Sequence, residues 1–126
     1  MSVALHHLLL AHVLGDFFLQ TGTMADNKYL PGRNGALWCT VHVAVYTLVV
    51  SVMLGIQAPI AIGGVFISHW VVDRWSLAHK WMRILGRGDL MRSPDPLKAT
   101  FGAIIYVVMD QTIHLTSLMI IIRLCK

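Results

Sequence analysis

The sequence predicts an all-α fold, a polytopic membrane protein with four transmembrane helices in an antiparallel bundle. Of its residues 56% are hydrophobic and only 13% are charged, whereas a soluble domain usually carries about 25% charged residues. The apolar residues fall into four long runs separated by segments rich in glycine, proline and charge. Runs of this length can cross a hydrocarbon core of about 30 Å.

We treat residues 1–126 as one domain containing these four helices. The turn between the second and third runs, Gln57-Ala58-Pro59, is too short for anything but a tight reversal. After Val72 the third run continues with charged residues that alternate with Trp75, Trp81 and Met82, which predicts an amphipathic extension at the membrane interface. The predicted helices cover about 3–21, 37–56, 59–85 and 99–124, with loops at 22–36 and 86–98.

Positive charge is concentrated on one predicted side of the membrane. Four crossings place residues 22–36 and 74–98 on the same face, and this face carries most of the basic residues: Lys28, Arg33, Arg74, Lys80, Arg83, Arg87, Arg92 and Lys98. The positive-inside rule then makes both loops cytoplasmic and both termini external, in a multi-pass protein of the cytoplasmic (inner) membrane. The net charge of +4 therefore predicts membrane lipids as partners and no nucleic acid. So small a bundle is also compatible with a homo-oligomer.

Polar residues recur at helical spacing inside the apolar runs. His12, Asp16 and Gln20 are four residues apart in the stretch LLLAHVLGDFFLQ, so a helix places them on one face. Each of the other runs contributes one pair: His42 with Tyr46, His69 with Asp73, and Asp110 with His114. Their depth along the predicted helices is similar, and the sequence therefore predicts one polar site on the bundle axis.

The residue types at this site favour a metal. Each carboxylate at the centre of a membrane helix costs roughly 2.5 to 3.5 kcal/mol to insert, and structural hydrogen bonding could use Ser or Asn at lower cost. Neutral imidazoles beside carboxylates suit a divalent metal, with zinc first and manganese or iron as alternatives. The predicted metal ligands are His12, Asp16, His42, His69, Asp73, Asp110 and His114, and Gln20 and Tyr46 are supporting polar residues.

Five strings of the sequence carry a resemblance to a known family: AHVLGDFFLQT, MADNK, HVAVY, SHWVVD and DQTIH. They are similar to the pattern H-x-x-G-D-F-x-x-Q, then H, H-x-x-x-D and D-Q-x-x-H of a family of small bacterial and phage integral membrane proteins of unknown function. The resemblance covers all four helices. It implies a shared polar core of His12, Asp16, Gln20, His42, His69, Asp73, Asp110, Gln111 and His114. More loosely, the chain resembles the membrane-bound metal-dependent hydrolases.

The leading functional prediction is metal-assisted hydrolysis of a lipid or phosphoester near the cytoplasmic leaflet. A metal-bound water would be the nucleophile, with Asp16, Asp73 and Asp110 as the candidate catalytic residues. Lys28 or the basic loops could hold an anionic headgroup. Two alternatives stay open. One is ion or proton transport, because intramembrane His and Asp also form proton relays. The other is a non-enzymatic membrane interaction protein in which the metal or the polar network is structural.

Overall fold

The computed structural model describes residues 4–125, and within this range the chain is helical and contains no β-strand. The all-α prediction is therefore confirmed. The elements are α1 (Leu5–Val13), a π-helical turn (Leu14–Phe18), α2 (Gly22–Asn27), α3 (Gly32–Leu54), α4 (Pro59–Arg74), α5 (Leu77–Ile84), a 3₁₀ turn (Leu90–Arg92) and α6 (Pro96–Leu124).

Two of the described helices, α3 and α6, are long and apolar enough to cross a membrane. They contain 23 and 29 residues, and at a rise of 1.5 Å per residue these lengths exceed the roughly 30 Å of a hydrocarbon core. α1 with its π-helical turn rises only roughly 21 Å, and α4 roughly 24 Å. The prediction of four membrane spans is therefore supported for two helices by length and composition.

The predicted bounds of the first helix and the first loop are wrong. Val3, the predicted start, lies outside the described residues, and the helix ends at Phe18 rather than at Thr21. Thr21 instead caps α2, where its hydroxyl accepts a hydrogen bond from the Met24 amide at 3.3 Å. Most of the predicted loop 22–36 is helical, because its glycine, proline and asparagine residues mark helix ends rather than one continuous loop.

The third predicted helix, 59–85, is broken near its middle. α4 ends at Arg74, and Ser76 has φ of 47°, a left-handed conformation that interrupts the helix before α5 begins. The sequence pattern misses this break because both sides of it are helical. The second predicted loop is also shorter than expected, since α6 begins at Pro96, where the Asp95 carboxylate accepts a hydrogen bond from the Leu97 amide.

The long helices form a row in which α3 packs between α1 and α4, and α4 packs between α3 and α6. Their apolar core is formed by residues that include Leu8, Val50, Val65 and Leu118. Each of these lies one helical turn from a polar residue of the predicted site. All four are on the side of that polar residue that faces away from α2 and α5. The polar site therefore occupies the half of the bundle nearer α2 and α5.

Candidate metal centre

Four donor atoms from three segments meet in the buried interior. His42 of α3, His69 and Asp73 of α4, and Asp16 of the π-helical turn can together hold one metal ion. All four residues are at most 4% exposed. His42 Nε2 lies 3.2 Å from His69 Nε2, from Asp16 Oδ1 and from Asp73 Oδ2. His69 Nε2 lies 3.4 Å from the same Asp16 oxygen and 3.5 Å from the same Asp73 oxygen.

These spacings agree with a tetrahedral zinc site. With zinc–ligand bonds of 2.0 to 2.1 Å, the corners of a regular tetrahedron lie about 3.3–3.4 Å apart. Five of the six donor separations fall between 3.2 and 3.5 Å. The sixth, between Asp16 and Asp73, is within 4.8 Å. Two imidazole nitrogens and two carboxylate oxygens are also a donor set suited to zinc rather than to calcium or magnesium.

A π-helical turn brings Asp16 to this centre. The wider turn runs from Leu14 to Phe18 and is closed by a bond from the Leu19 amide to the Leu14 carbonyl at 3.0 Å. Single π-helical turns inside helices are frequent at functional sites. Gly15 lets this turn approach α3, because a Cβ atom there would lie 2.9 Å from Cδ2 of Tyr46. The Asp16 side chain therefore reaches the histidines of both α3 and α4.

Lys28 is the component of the site whose position the sequence did not reveal. The residue follows α2, is only 4% exposed, and donates from Nζ to Asp73 Oδ2 and to Gln20 Oε1, both at 2.8 Å. The sequence pattern placed Lys28 with the basic loop residues that face lipid headgroups. Lys28 lies in MADNK, one of the five strings that carry the family resemblance. That resemblance is the one sequence signal that connects Lys28 with the site. A fixed ammonium group thus lies beside the proposed metal position.

A second group of donors lies beside the first. Asp110 and His114 of α6 join Asp16 in a group whose ligand atoms lie within 4.8 Å of one another. His114 Nε2 is 3.1 Å from Asp73 Oδ1 and 3.6 Å from Asp110 Oδ2. Asp16 and Asp73 therefore each have one oxygen in the first group and the other toward α6.

The remaining predicted residues connect the helices around these donors. His12 lies outside both groups, and its ring nitrogens contact Tyr46 Oη at 2.9 Å and Gln111 Oε1 at 2.6 Å. The Gln111 amide donates to Asp16 Oδ2 at 2.9 Å and to Asp110 Oδ2 at 3.3 Å. Gln111 thus joins α1 to α6.

Every residue predicted for the polar site is found in this cluster, on segments that are far apart in sequence. Which of them bind a metal stays a prediction, because the geometry shows proximity and donor type. The four donors with tetrahedral spacing are a subset of the predicted ligands. Asp110 and His114 form the neighbouring group, and His12 has a supporting position.

Comparison with known proteins places the chain in a family but assigns no activity. Neither the curated proteins nor the solved structures include a significant match to it. A family model described as a protein of unknown function, DUF3307, matches residues 4–126, which is nearly the whole sequence. The chain belongs to this DUF3307 family.

Proposed function

We propose that the chain is a four-helix protein of the inner membrane that binds zinc at the buried His/Asp centre and hydrolyses a lipid or phosphoester at the cytoplasmic leaflet. The observation that carries the proposal is the close spacing of the donors from His42, His69, Asp16 and Asp73, which supports a zinc centre. Hydrolysis further requires that water take one of these four positions, because a catalytic zinc keeps one position open. A zinc ion supplies Lewis acidity and activates water, which is the chemistry that hydrolysis requires.

The surface of the bundle supports the membrane setting. Large apolar side chains are exposed on several helices, among them Phe18 at 79%, Ile60 at 78% and Leu124 at 80%. Soluble monomers rarely expose contiguous apolar patches larger than a few hundred Å². Lipid would cover these side chains. α1 and α4 are shorter than the hydrocarbon core is thick, so α3, α6 and lipid would surround them within the membrane.

Charge balance also supports a divalent cation. If Asp16, Asp73 and Asp110 are ionised and the imidazoles are neutral, the three carboxylates and the Lys28 ammonium group give the cluster a net charge of −2. Buried charge is costly unless it is compensated. One divalent cation would bring the total to zero, and the Lys28 ammonium group would hold Asp73 in the orientation that ligation needs.

The position of Asp110 in the cluster suits hydrolysis. Asp110 lies outside the tetrahedral group and, at 9% exposed, is the least buried of the three carboxylates. Its contacts to Gln111 and His114 involve Oδ2, so Oδ1 can accept a proton.

Hydrolysis can be tested with purified protein in vesicles of anionic phospholipid. We expect lipid hydrolysis that is lost on chelation and restored by zinc, because the Lewis acid is removed and returned. Asp73→Asn should abolish it, since the substitution removes a ligand oxygen. Asp26→Asn is the matched control, because Asp26 is exposed on α2 and outside the cluster. A zinc-loaded protein that hydrolyses no phospholipid would contradict this activity.

One observation favours transport as a second candidate function. Within the described residues, Thr47 Oγ1 and Ser51 Oγ are buried and have no hydrogen-bond partner. Both follow His42 along α3, toward the end of the bundle away from α2, so they extend polarity beyond the cluster. Four protein donors also form a closed coordination set, which is typical of sites that do not catalyse. Zinc flux into protein-containing vesicles, without lipid hydrolysis, would support this function instead.

A further inference from the structure

We propose that the centre holds a second divalent cation, between the π-helical turn and α6, and that this cation binds together with a phosphate group of the substrate. The inference rests on the proposed zinc site, because it shares Asp16 with that site. Its ligands are Asp110, His114 and Asp16, and Asp73 Oδ1 lies beside them, 3.1 Å from His114 Nε2.

The carboxylates of Asp16 and Asp73 each direct their two oxygens to different donors. Asp16 directs Oδ1 to the two histidines of the first group, whereas its Oδ2 accepts from the Gln111 amide on α6. Asp73 directs Oδ2 to the same histidines, and its Oδ1 lies 3.1 Å from His114 Nε2. A carboxylate that presents its two oxygens to two donor groups has the orientation of a bridging ligand.

The donor groups lie close enough for a two-metal centre. The ligand atoms of Asp16, Asp110 and His114 are within 4.8 Å of one another, and Asp16 belongs to both groups. In two-metal hydrolases the ions lie about 3.5–4 Å apart and stabilise both the attacking and the leaving oxygens. Carboxylates that bridge the ions are compatible with this separation.

Gln111 can change from a hydrogen-bond donor to a ligand. Its amide nitrogen now lies between Asp16 Oδ2 and Asp110 Oδ2, and its carbonyl oxygen contacts His12 Nε2. A half-turn about the last side-chain bond exchanges the two amide atoms and directs the carbonyl oxygen at the second position. His12 Nε2 can then accept a hydrogen bond from the Gln111 amide, and His12 Nδ1 can donate one to Tyr46 Oη. Both ring nitrogens of His12 therefore keep their partners.

The charge of the cluster connects the second cation to an anion. One divalent cation already neutralises the −2 charge of the three carboxylates and Lys28. A second one would leave an excess of two positive charges in a buried site, which is unfavourable without compensation. A phosphomonoester dianion would compensate both of these charges, and a phosphodiester would compensate one of them. We therefore expect phosphate to strengthen the binding of the second cation and to have little effect on the first.

The number of zinc ions per chain tests this proposal. Purified protein would be dialysed against zinc, with and without inorganic phosphate, and its metal content measured. The expected result is two zinc ions per chain with phosphate and about one without it. Asp110→Asn should bind one under both conditions, and the control Asp26→Asn should behave like the parent. One zinc per chain in the parent under every condition would overturn the second position and leave the first intact.

A measurement on the unaltered protein keeps the test independent of how Asp110→Asn folds. With manganese and phosphate, two ions at bridging distance should give the electron paramagnetic resonance spectrum of a spin-coupled pair. A spectrum of isolated manganese only would overturn the second position. Protein that binds neither metal at all would instead contradict the proposed function, so the two failures are distinguishable.

Discussion

Asp73→Ala is expected to lose zinc and much of its thermal stability together. The Asp73 carboxylate contacts four side chains of the cluster. They are Lys28 at 2.8 Å, His114 at 3.1 Å, His42 at 3.2 Å and His69 at 3.5 Å. Removing the carboxylate leaves the Lys28 ammonium group buried without its charged partner, which typically costs about 3–5 kcal/mol. Zinc content and the thermal unfolding midpoint measure the two losses.

Two further variants separate a metal site from a hydrogen-bond network. Tyr46→Phe removes only the contact between Tyr46 Oη and His12 Nδ1, so this protein should keep its zinc and its fold. Asp73→Asn retains the shape of the side chain but lacks one ligand oxygen, and it should bind zinc poorly. An Asp73→Asn protein as stable as the parent, with no zinc in either, would show that the cluster is a neutral network.

Lys28→Met is expected to destabilise the metal-free protein and to increase its dependence on zinc. Lys28 is 4% exposed and donates to Asp73 Oδ2 at 2.8 Å. Methionine is similar in length but uncharged, so the three carboxylates lose their fixed positive partner. We expect the metal-free form to lose about 3–5 kcal/mol of unfolding free energy. Zinc should restore much of this loss, because it compensates the same carboxylates.

The measurement for Lys28→Met is the difference in unfolding midpoint between zinc-loaded and chelated protein, which should be wider than in the parent. Lys80→Met is the matched control, since Lys80 is exposed on α5 and should leave the difference unchanged. A Lys28→Met protein with the same difference as the parent would contradict the view that the ammonium group and the metal compensate the same charges.

The residues of the site could be predicted because their spacing is local. His69 with Asp73 and Asp110 with His114 are four residues apart, so each pair shares a helix face whatever the tertiary structure. The apolar runs around them indicated burial, and a buried carboxylate needs partners. The polar pairs were expected to meet at one site because they lie at similar depths along the predicted antiparallel helices.

Features that depend on backbone detail could not be predicted. Lys28 lies in a polar segment, and only the path of α2 back toward the bundle buries it. The break at Ser76 separates two helical segments, so the periodicity on either side does not reveal it. The hydrogen bond of the π-helical turn at Asp16 spans one residue more than that of an α-helix, which sequence spacing does not distinguish. How two donor groups share two carboxylates depends on side-chain orientation alone.

X-ray absorption at the zinc edge, on protein purified from membranes without chelator, identifies the atoms that bind the metal. We expect stoichiometric zinc with nitrogen and oxygen ligands at about 2.0–2.2 Å, including the imidazole scattering of His42 and His69. His42→Ala should reduce that imidazole contribution. Protein that contains no zinc and takes up none on addition, or a zinc ion with sulfur ligands, would contradict a metal centre built from Asp16, His42, His69 and Asp73.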